Sequence, residues 1–223
     1  MLFRTRDLFV RQRTQLINAL RAHLAEHGII APQGIANLAS LAEIIEDHGS
    51  GLELIVVETA RLYLDQIDAL SSRIASLEKA LRSEAKRSQS TARLMSMPGM
   101  GPITAMAVEA FAPTMVTFRR GRDFAAWLGL VPKQHSSEGK HVLGRTSKMG
   151  QRDIRRLLII GAMTVIRWAC RKASPENSWL ARMLARKPRM LVAIALANKM
   201  ARSIWAMMTK NEDYKDPGLA VAQ

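Results

Sequence analysis

Between residues 56 and 81 the apolar positions Val56, Ala60, Tyr63, Ile67, Leu70, Ile74, Leu77 and Leu81 fall in alternating steps of four and three. An apolar side chain every 3.5 residues marks one stripe of a long α-helix, whereas a half-buried strand repeats every two. Such a stripe, carried within residues 52–94, demands a second helix along its length. Two partners satisfy it. One is the same helix of a second copy, which makes the chain a homo-oligomer through residues 56–81. The other is a helix over residues 2–27, folded back through a connector at 28–51. In that first helix Leu2, Phe9, Leu16, Leu20 and Leu24 recur near helical spacing, and Gly28 is placed to cap its end. The connector holds Pro32, Gly34, Gly49 and Gly51 around a short helical piece from Ile35 to Asp47.

The pattern changes at Leu94. Pro98-Gly99-Met100-Gly101 reads as a tight turn after one helix, and Pro102 suits the first turn of the next, which buries Ile103, Met106 and Ala107. Such a unit is either an ordinary helix-helix turn or a helix-hairpin-helix element, in which Pro98, Gly99 and Gly101 bring backbone N–H groups to a phosphate. A short helix follows with Phe124, Trp127 and Leu128 facing inward. A further helix is expected from Asp153 to about Lys172, a short one over Asn177–Arg186 after Pro175, and a last one from Pro188 to about Thr209. Ala193, Ala195, Ala197 and Ala201 suit that last helix to close packing. Residues from Asn211 onward are polar and expected to fray. The fold class is therefore all-α, with long coiled-coil helices over 1–90, a compact helical domain over 91–210 and a flexible tail over 211–223.

Charge separates the two halves. Of the formal net charge of +14, residues 1–94 contribute +1 and residues 95–223 contribute +13. A basic surface concentrated in one half points to a polyanion, and double-stranded DNA is the expected partner. Cys170 is the sole cysteine, which excludes a disulfide framework and a thiolate metal cluster and fits a reducing, cytoplasmic setting. The apolar runs at 157–166 and 190–208 are too short or interrupted by Asn198, Lys199 and Arg202, so no membrane span is expected, and the first residues do not read as a signal peptide.

The stretch from Leu130 to Arg156 could not fill a core. It carries Ser136, Ser137, Ser147, His135, His141 and the cations Lys133, Lys140, Arg145, Lys148, Arg152, Arg155 and Arg156, with Arg122 just upstream. It is expected as an exposed basic loop. Ser136 and Ser137 precede Glu138-Gly139 and either form a turn bonded to their own backbone or present a hydroxyl to a phosphate. The cations and His135 would hold that phosphate; on residue types alone no activating base stands out, and no metal-ligand set is seen.

Four motifs occur in order: Met-Pro-Gly-Met-Gly at 97–101, Phe-Ala-Ala-Trp-Leu-Gly-Leu-Val-Pro at 124–132, His-Ser-Ser-Glu-Gly-Lys at 135–140, and Leu-Gly-Arg-Thr-Ser-Lys-Met-Gly at 143–150 followed by Arg155-Arg-Leu-Leu. Together they resemble the C-terminal domain of the transposase family named for insertion sequence 110, with relatives 116 and 902, over roughly residues 91–180. The first helix and the coiled coil resemble that family's linker more loosely. The resemblance implies DNA transposition by a two-part enzyme. A resolvase-like nuclease domain binds Mg²⁺ through acidic ligands, and a C-terminal serine attacks DNA to form a phosphoserine under the guidance of a structured RNA. It places the nucleophile on Ser137, with Ser136 as the alternative. No nuclease domain is recognised in this chain, so it is expected to be a truncated transposase that holds no cofactor of its own and is inactive alone. The competing expectation is a stand-alone helix-hairpin-helix protein that binds nucleic acid without catalysis.

Overall fold

The computed structural model describes residues 1–47, 51–137, 140–171 and 178–216; the side chains of 134–143 and 145 are outside that description. Among the described residues the fold is all-α apart from one two-stranded hairpin, and the chain divides into two units, Met1–Leu81 and Arg82–Gln223.

In the first unit, α1 (Leu2–Glu26) ends where Gly28 adopts φ +81°. The Gly28 and Ile29 N–H groups then return to the carbonyls of Ala25 and Leu24, both at 3.0 Å, closing the helix as the sequence predicts. After a 3₁₀ turn at Ile35–Asn37, α2 (Leu38–Glu46) leads toward α3 (Leu54–Arg87). The heptad stripe on α3 is filled from within the chain. Arg6 donates to Glu78 at 2.9 and 2.5 Å, and Arg13 donates to Ser71 at 3.2 Å. His23 meets Tyr63 with ring centroids 6.5 Å apart. As one residue number rises the other falls, so α1 and α3 run antiparallel. Ile17, Leu20 and Leu24 of α1 pack with Leu41 and Ile45 of α2 and Ala60 and Ile67 of α3. The connector at 28–51 therefore folds the chain back, and the stripe has its partner without a second copy.

The long helix ends earlier than the periodicity suggested. Ser88 leaves helical geometry at φ −89°, ψ 125°, and its side chain accepts from Thr91 N to start α4 (Gln89–Met95). Ser88 and Ser90 both donate to Glu109 on α5 (Pro102–Phe111), and Thr91 Oγ1 donates back to Ala85 O. Local side-chain bonds thus outcompete helix continuation at a serine-rich step.

The second unit is built around α7 (Arg152–Arg171) and α9 (Arg189–Lys210), with α6 (Gly121–Trp127) across α9, α5 against α7 and α8 (Trp179–Leu184) at one side. Ala193, Ala197 and Ala201 of α9 are fully buried at four-residue spacing, with Ala195 half-buried, so neighbouring helices approach closely. A Cβ added to Gly121 would stand 3.1 Å from Arg202 Cα. Phe118, Phe124 and Trp127 form an aromatic cluster with centroid separations of 5.2 to 5.8 Å, and Trp205 Nε1 donates to the carbonyls of Met115 and Phe118. Trp127 belongs to the core. Helix α9 has the length and mean hydropathy to cross a membrane, yet Val192, Ala193, Ala197, Met200, Ala201, Ile204 and Met207 are buried in this helical core.

Two expectations need correction here. Residues 132–146 were expected as loop and instead form β1 (Pro132–Ser137) and β2 (Lys140–Thr146), paired antiparallel. Residues 211–216, expected to fray, are tied to α4: Arg93 donates to Asn211 Oδ1 at 3.0 Å, and Tyr214 N donates to Ser96 Oγ at 2.9 Å. Pro175, the expected break after α7, and residues 217–223 lie outside the described residues.

Candidate nucleic-acid interface

The hairpin rises from a base in which glycines and backbone bonds leave little freedom. Helix α6 ends with Gly129 at φ +69°, and the N–H groups of Gly129 and Leu130 return to Ala126 O and Ala125 O at 2.8 and 3.0 Å. The returning chain after β2 is laced onto this end: Ser147 N donates to Val131 O at 2.9 Å, Lys148 N to Gly129 O at 3.3 Å and Gln151 N to Trp127 O at 3.4 Å. Gly150, at φ +85°, lies so close to α6 that a Cβ there would stand 1.8 Å from Trp127 O; a Cβ on Gly129 would stand 2.0 Å from Met149 O. Any side chain at either position would force the two segments apart. The motifs at 124–132 and 143–150, separate in sequence, are the two sides of one joint.

Arg155 closes the joint from α7. Its Nη1 donates to Leu128 O at 2.9 Å and to Met149 O at 3.0 Å, which ties the end of α6 to the chain returning after β2. Burial first, and the neighbouring charge of Arg152 second, lower its pKa from the ordinary guanidinium range. From the other side, Asn198 of α9 donates to Leu130 O at 3.2 Å. Sequence reading placed Arg155 among the phosphate-holding cations and passed over Asn198; here both hold backbone carbonyls at the foot of the hairpin.

The register puts Ser137 opposite Lys140, Ser136 opposite His141 and His135 opposite Val142, with an irregularity between Pro132 and Gln134. The side chains of His135, Ser136, Ser137, Lys140, His141 and Arg145 lie outside the described residues, as does Glu138 altogether. Of the other expected site residues, Lys133, Lys148, Arg152 and Arg156 are exposed around the joint, Lys148 with a left-handed backbone at φ 54°, and Ser147 is half-buried. His141 carried no assigned role in the sequence, and the backbone register sets it opposite Ser136. The pairing register is the signal that finds it.

The Pro98–Gly101 turn sits elsewhere on α7. Gly99, at φ +82°, meets Gly161: a Cβ on Gly99 would be 2.7 Å from Gly161 O, and one on Gly161 would be 2.2 Å from Gly99 O. Gly99 is thus a packing residue, while Pro98 remains exposed and Gly101, the N-cap of α5, faces open space. Nine residues of α7 separate Gly161 from Arg152, about 13 Å along the helix axis. The turn and the hairpin joint are accordingly two stations on one buried helix. Among the described residues no group of three or more His, Cys, Asp or Glu lies together to hold a metal.

Comparison with known proteins places these motifs in a family. Residues 91–176 match the family model described as Transposase IS116/IS110/IS902 family. The chain is 41% identical over 217 residues to a Pseudomonas aeruginosa protein described as a probable family 20 transposase; the match covers 96% of this chain and 64% of that protein. It is 34% identical to the transposase for insertion sequence element IS1111A of Coxiella burnetii, covering 96% of this chain and 59% of that one. It is also 34% identical to the transposase for insertion sequence element IS1328 of Yersinia enterocolitica, covering 94% and 62%. The chain thus spans about six tenths of the length of these curated relatives.

Proposed function

The chain belongs to the IS116/IS110/IS902 transposase family, and on that premise we propose that its second unit is the DNA-binding, serine-bearing part of a transposase. The observation that carries the proposal is the joint. Its glycine contacts and Arg155 present the Ser136-Ser137 strand on a fixed base, with the exposed cations Lys133, Lys148 and Arg152 around it. A phosphoryl transfer needs a nucleophile placed to within a fraction of an ångström and positive charge around the phosphate, and a hairpin locked at its foot among cations supplies the first elements of both.

The reaction is a transesterification. A serine Oγ loses its proton to a base and bonds to phosphorus, the phosphodiester P–O bond opposite breaks, and the departing DNA hydroxyl takes up a proton. One P–O ester replaces another, so no oxidant or energy source is consumed. We assign the nucleophile to Ser137, whose cross-strand partner Lys140 is a cation, and keep Ser136, opposite His141, as the alternative. The Mg²⁺ that the resemblance implies belongs to the nuclease domain; among the described residues no group of three or more His, Cys, Asp or Glu lies together to hold it, and no step of this scheme runs through a metal held by them. A structured guide RNA would be a second polyanion for the same positive half. A homo-oligomer through 56–81, its stripe already closed by α1, would use the outer flank of α3, where Leu62 is 70% exposed.

The test uses a full-length transposase carrying residues 91–216 of this chain, with labelled DNA and a denaturing gel. A covalent adduct lost in Ser137→Ala and kept in Ser136→Ala is the expected result. Loss only in Ser136→Ala moves the nucleophile one residue. An adduct that survives both changes, or none in the parent, leaves the non-catalytic alternative in which the α4–α5 helix-hairpin-helix and the hairpin only bind nucleic acid.

A further inference from the structure

Between Ser178 and Asn211 the chain carries seven Lys or Arg and no Asp or Glu. Four of the seven, Arg182, Arg186, Lys187 and Arg189, fall where α8 ends and α9 begins, and every residue from Ala185 to Leu191 is exposed. This corner lies past the residues that match the family model, which end at 176. It is also a built turn. Lys187 N donates to Met183 O at 3.0 Å, Leu191 N to Pro188 O at 2.9 Å, and Arg186 Nε to Arg182 O at 3.2 Å, so the cations are presented from an ordered backbone.

Left alone, the arrangement is electrostatically unfavourable. Arg186, Lys187 and Arg189 crowd the N-terminus of the 22-residue α9, the end at which the helix dipole is already positive and where carboxylates are the favoured residues. Among the described residues no carboxylate is paired with any of the four. A partner rich in negative charge relieves both the mutual repulsion and the clash with the dipole. The chemistry favours a duplex backbone over a single strand, because the corner offers cations and no exposed aromatic ring: the nearby Trp179 is half-buried and has Lys199 Nζ over one face at 5.1 Å from its centroid.

We propose that the α8–α9 corner is a second DNA contact, which grips the phosphate backbone of duplex DNA away from the serine hairpin and reads no sequence. The proposal rests on the reading of the second unit as DNA-binding. It is tested by fluorescence anisotropy of a labelled mixed-sequence duplex with the whole chain between 50 and 200 mM salt. Three proteins are compared: the wild type, the corner variant Arg186→Gln/Lys187→Gln/Arg189→Gln and the joint variant Lys133→Gln/Lys148→Gln/Arg152→Gln. Each phosphate contact adds about 0.9 to the slope of log K against log salt, so the corner variant should lose about 2 to 3 from that slope. Its thermal midpoint at low salt should hold or rise, since like charges have been removed from the positive end of α9. If the triple variant fails to fold, Arg189→Glu alone, which the dipole favours, should still lower the slope. A wild-type slope in the corner variant, with a reduced one in the joint variant, overturns the inference and leaves the wider reading standing. A reduced slope in the corner variant alone supports the corner and removes the joint cations from that reading. A wild-type chain that does not bind duplex at all overturns both.

Discussion

Gly99 and Gly161 touch backbone to backbone: a Cβ on either would lie within 2.7 Å of the other's carbonyl oxygen. A turn that reads as a phosphate loop is thereby seated on the middle of a core helix. Gly161→Ala gives a test by sign. In an exposed helix interior the change from Gly to Ala stabilises by about 1 kcal/mol. Here the new methyl would push the turn off α7, and a loss of about 1–3 kcal/mol is expected from the overpacking. Thermal or urea unfolding reads the sign directly, and a stabilised variant would mean that the two backbones are not in contact.

Arg155 and Arg152 should separate in their effects. Arg155→Lys keeps the charge but replaces the planar Nη1, whose two N–H groups reach both carbonyls, with an ammonium on a shorter stem, and about 1–2 kcal/mol of stability should go with it. Arg152→Lys, at an exposed position, should leave stability within about 0.5 kcal/mol of wild type. Equal unfolding midpoints for the two variants would return Arg155 to the surface.

The antiparallel pairing of α1 and α3 predicts how the stripe responds to charge. Ile74 is 4% exposed and Leu62 is 70% exposed on the same helix. Ile74→Asp should cost the first unit about 3–5 kcal/mol, because a carboxylate is buried without a partner in place of a packed side chain. Leu62→Asp should leave folding unchanged and, if copies associate along the outer flank, dissociate them. Circular dichroism melts and sedimentation velocity together distinguish the outcomes; an Ile74→Asp protein that melts like wild type but sediments as a smaller species would favour an intermolecular seam.

If the positive half grips duplex DNA through about six to ten phosphates, affinity should fall by about 10³–10⁵ between 50 and 200 mM salt. Anisotropy of the whole chain measures it, and a flat response would remove DNA as the partner.

Helix existence was legible from the chain alone. The steps of three and four along 56–81, the Gly28 cap on α1 and the alanine spacing on α9 are short-range patterns, and each stands in the fold where the pattern puts it. The same holds for the family, since its motifs are runs of adjacent residues. Other features depend on which surfaces meet across long separations in sequence. Ser88 ended α3 because Glu109, 21 residues on, stands ready for its hydroxyl. The expected serine loop became a hairpin because Val131 and Gly129 take up the chain again at Ser147 and Lys148, closing a ladder whose strands show no clean alternation of apolar and polar residues. Gly99 and Gly101 look equivalent within Pro-Gly-Met-Gly; only the first meets α7, so one packs and the other faces open space. Likewise Arg152, Arg155 and Arg156 are three cations of one run, and the helix turn between them sends Arg155 alone to the carbonyls of Leu128 and Met149. Periodicity and caps are properties of neighbouring residues and so can be read along the chain, whereas the task of an individual glycine or arginine is set by the backbone that folding brings opposite it.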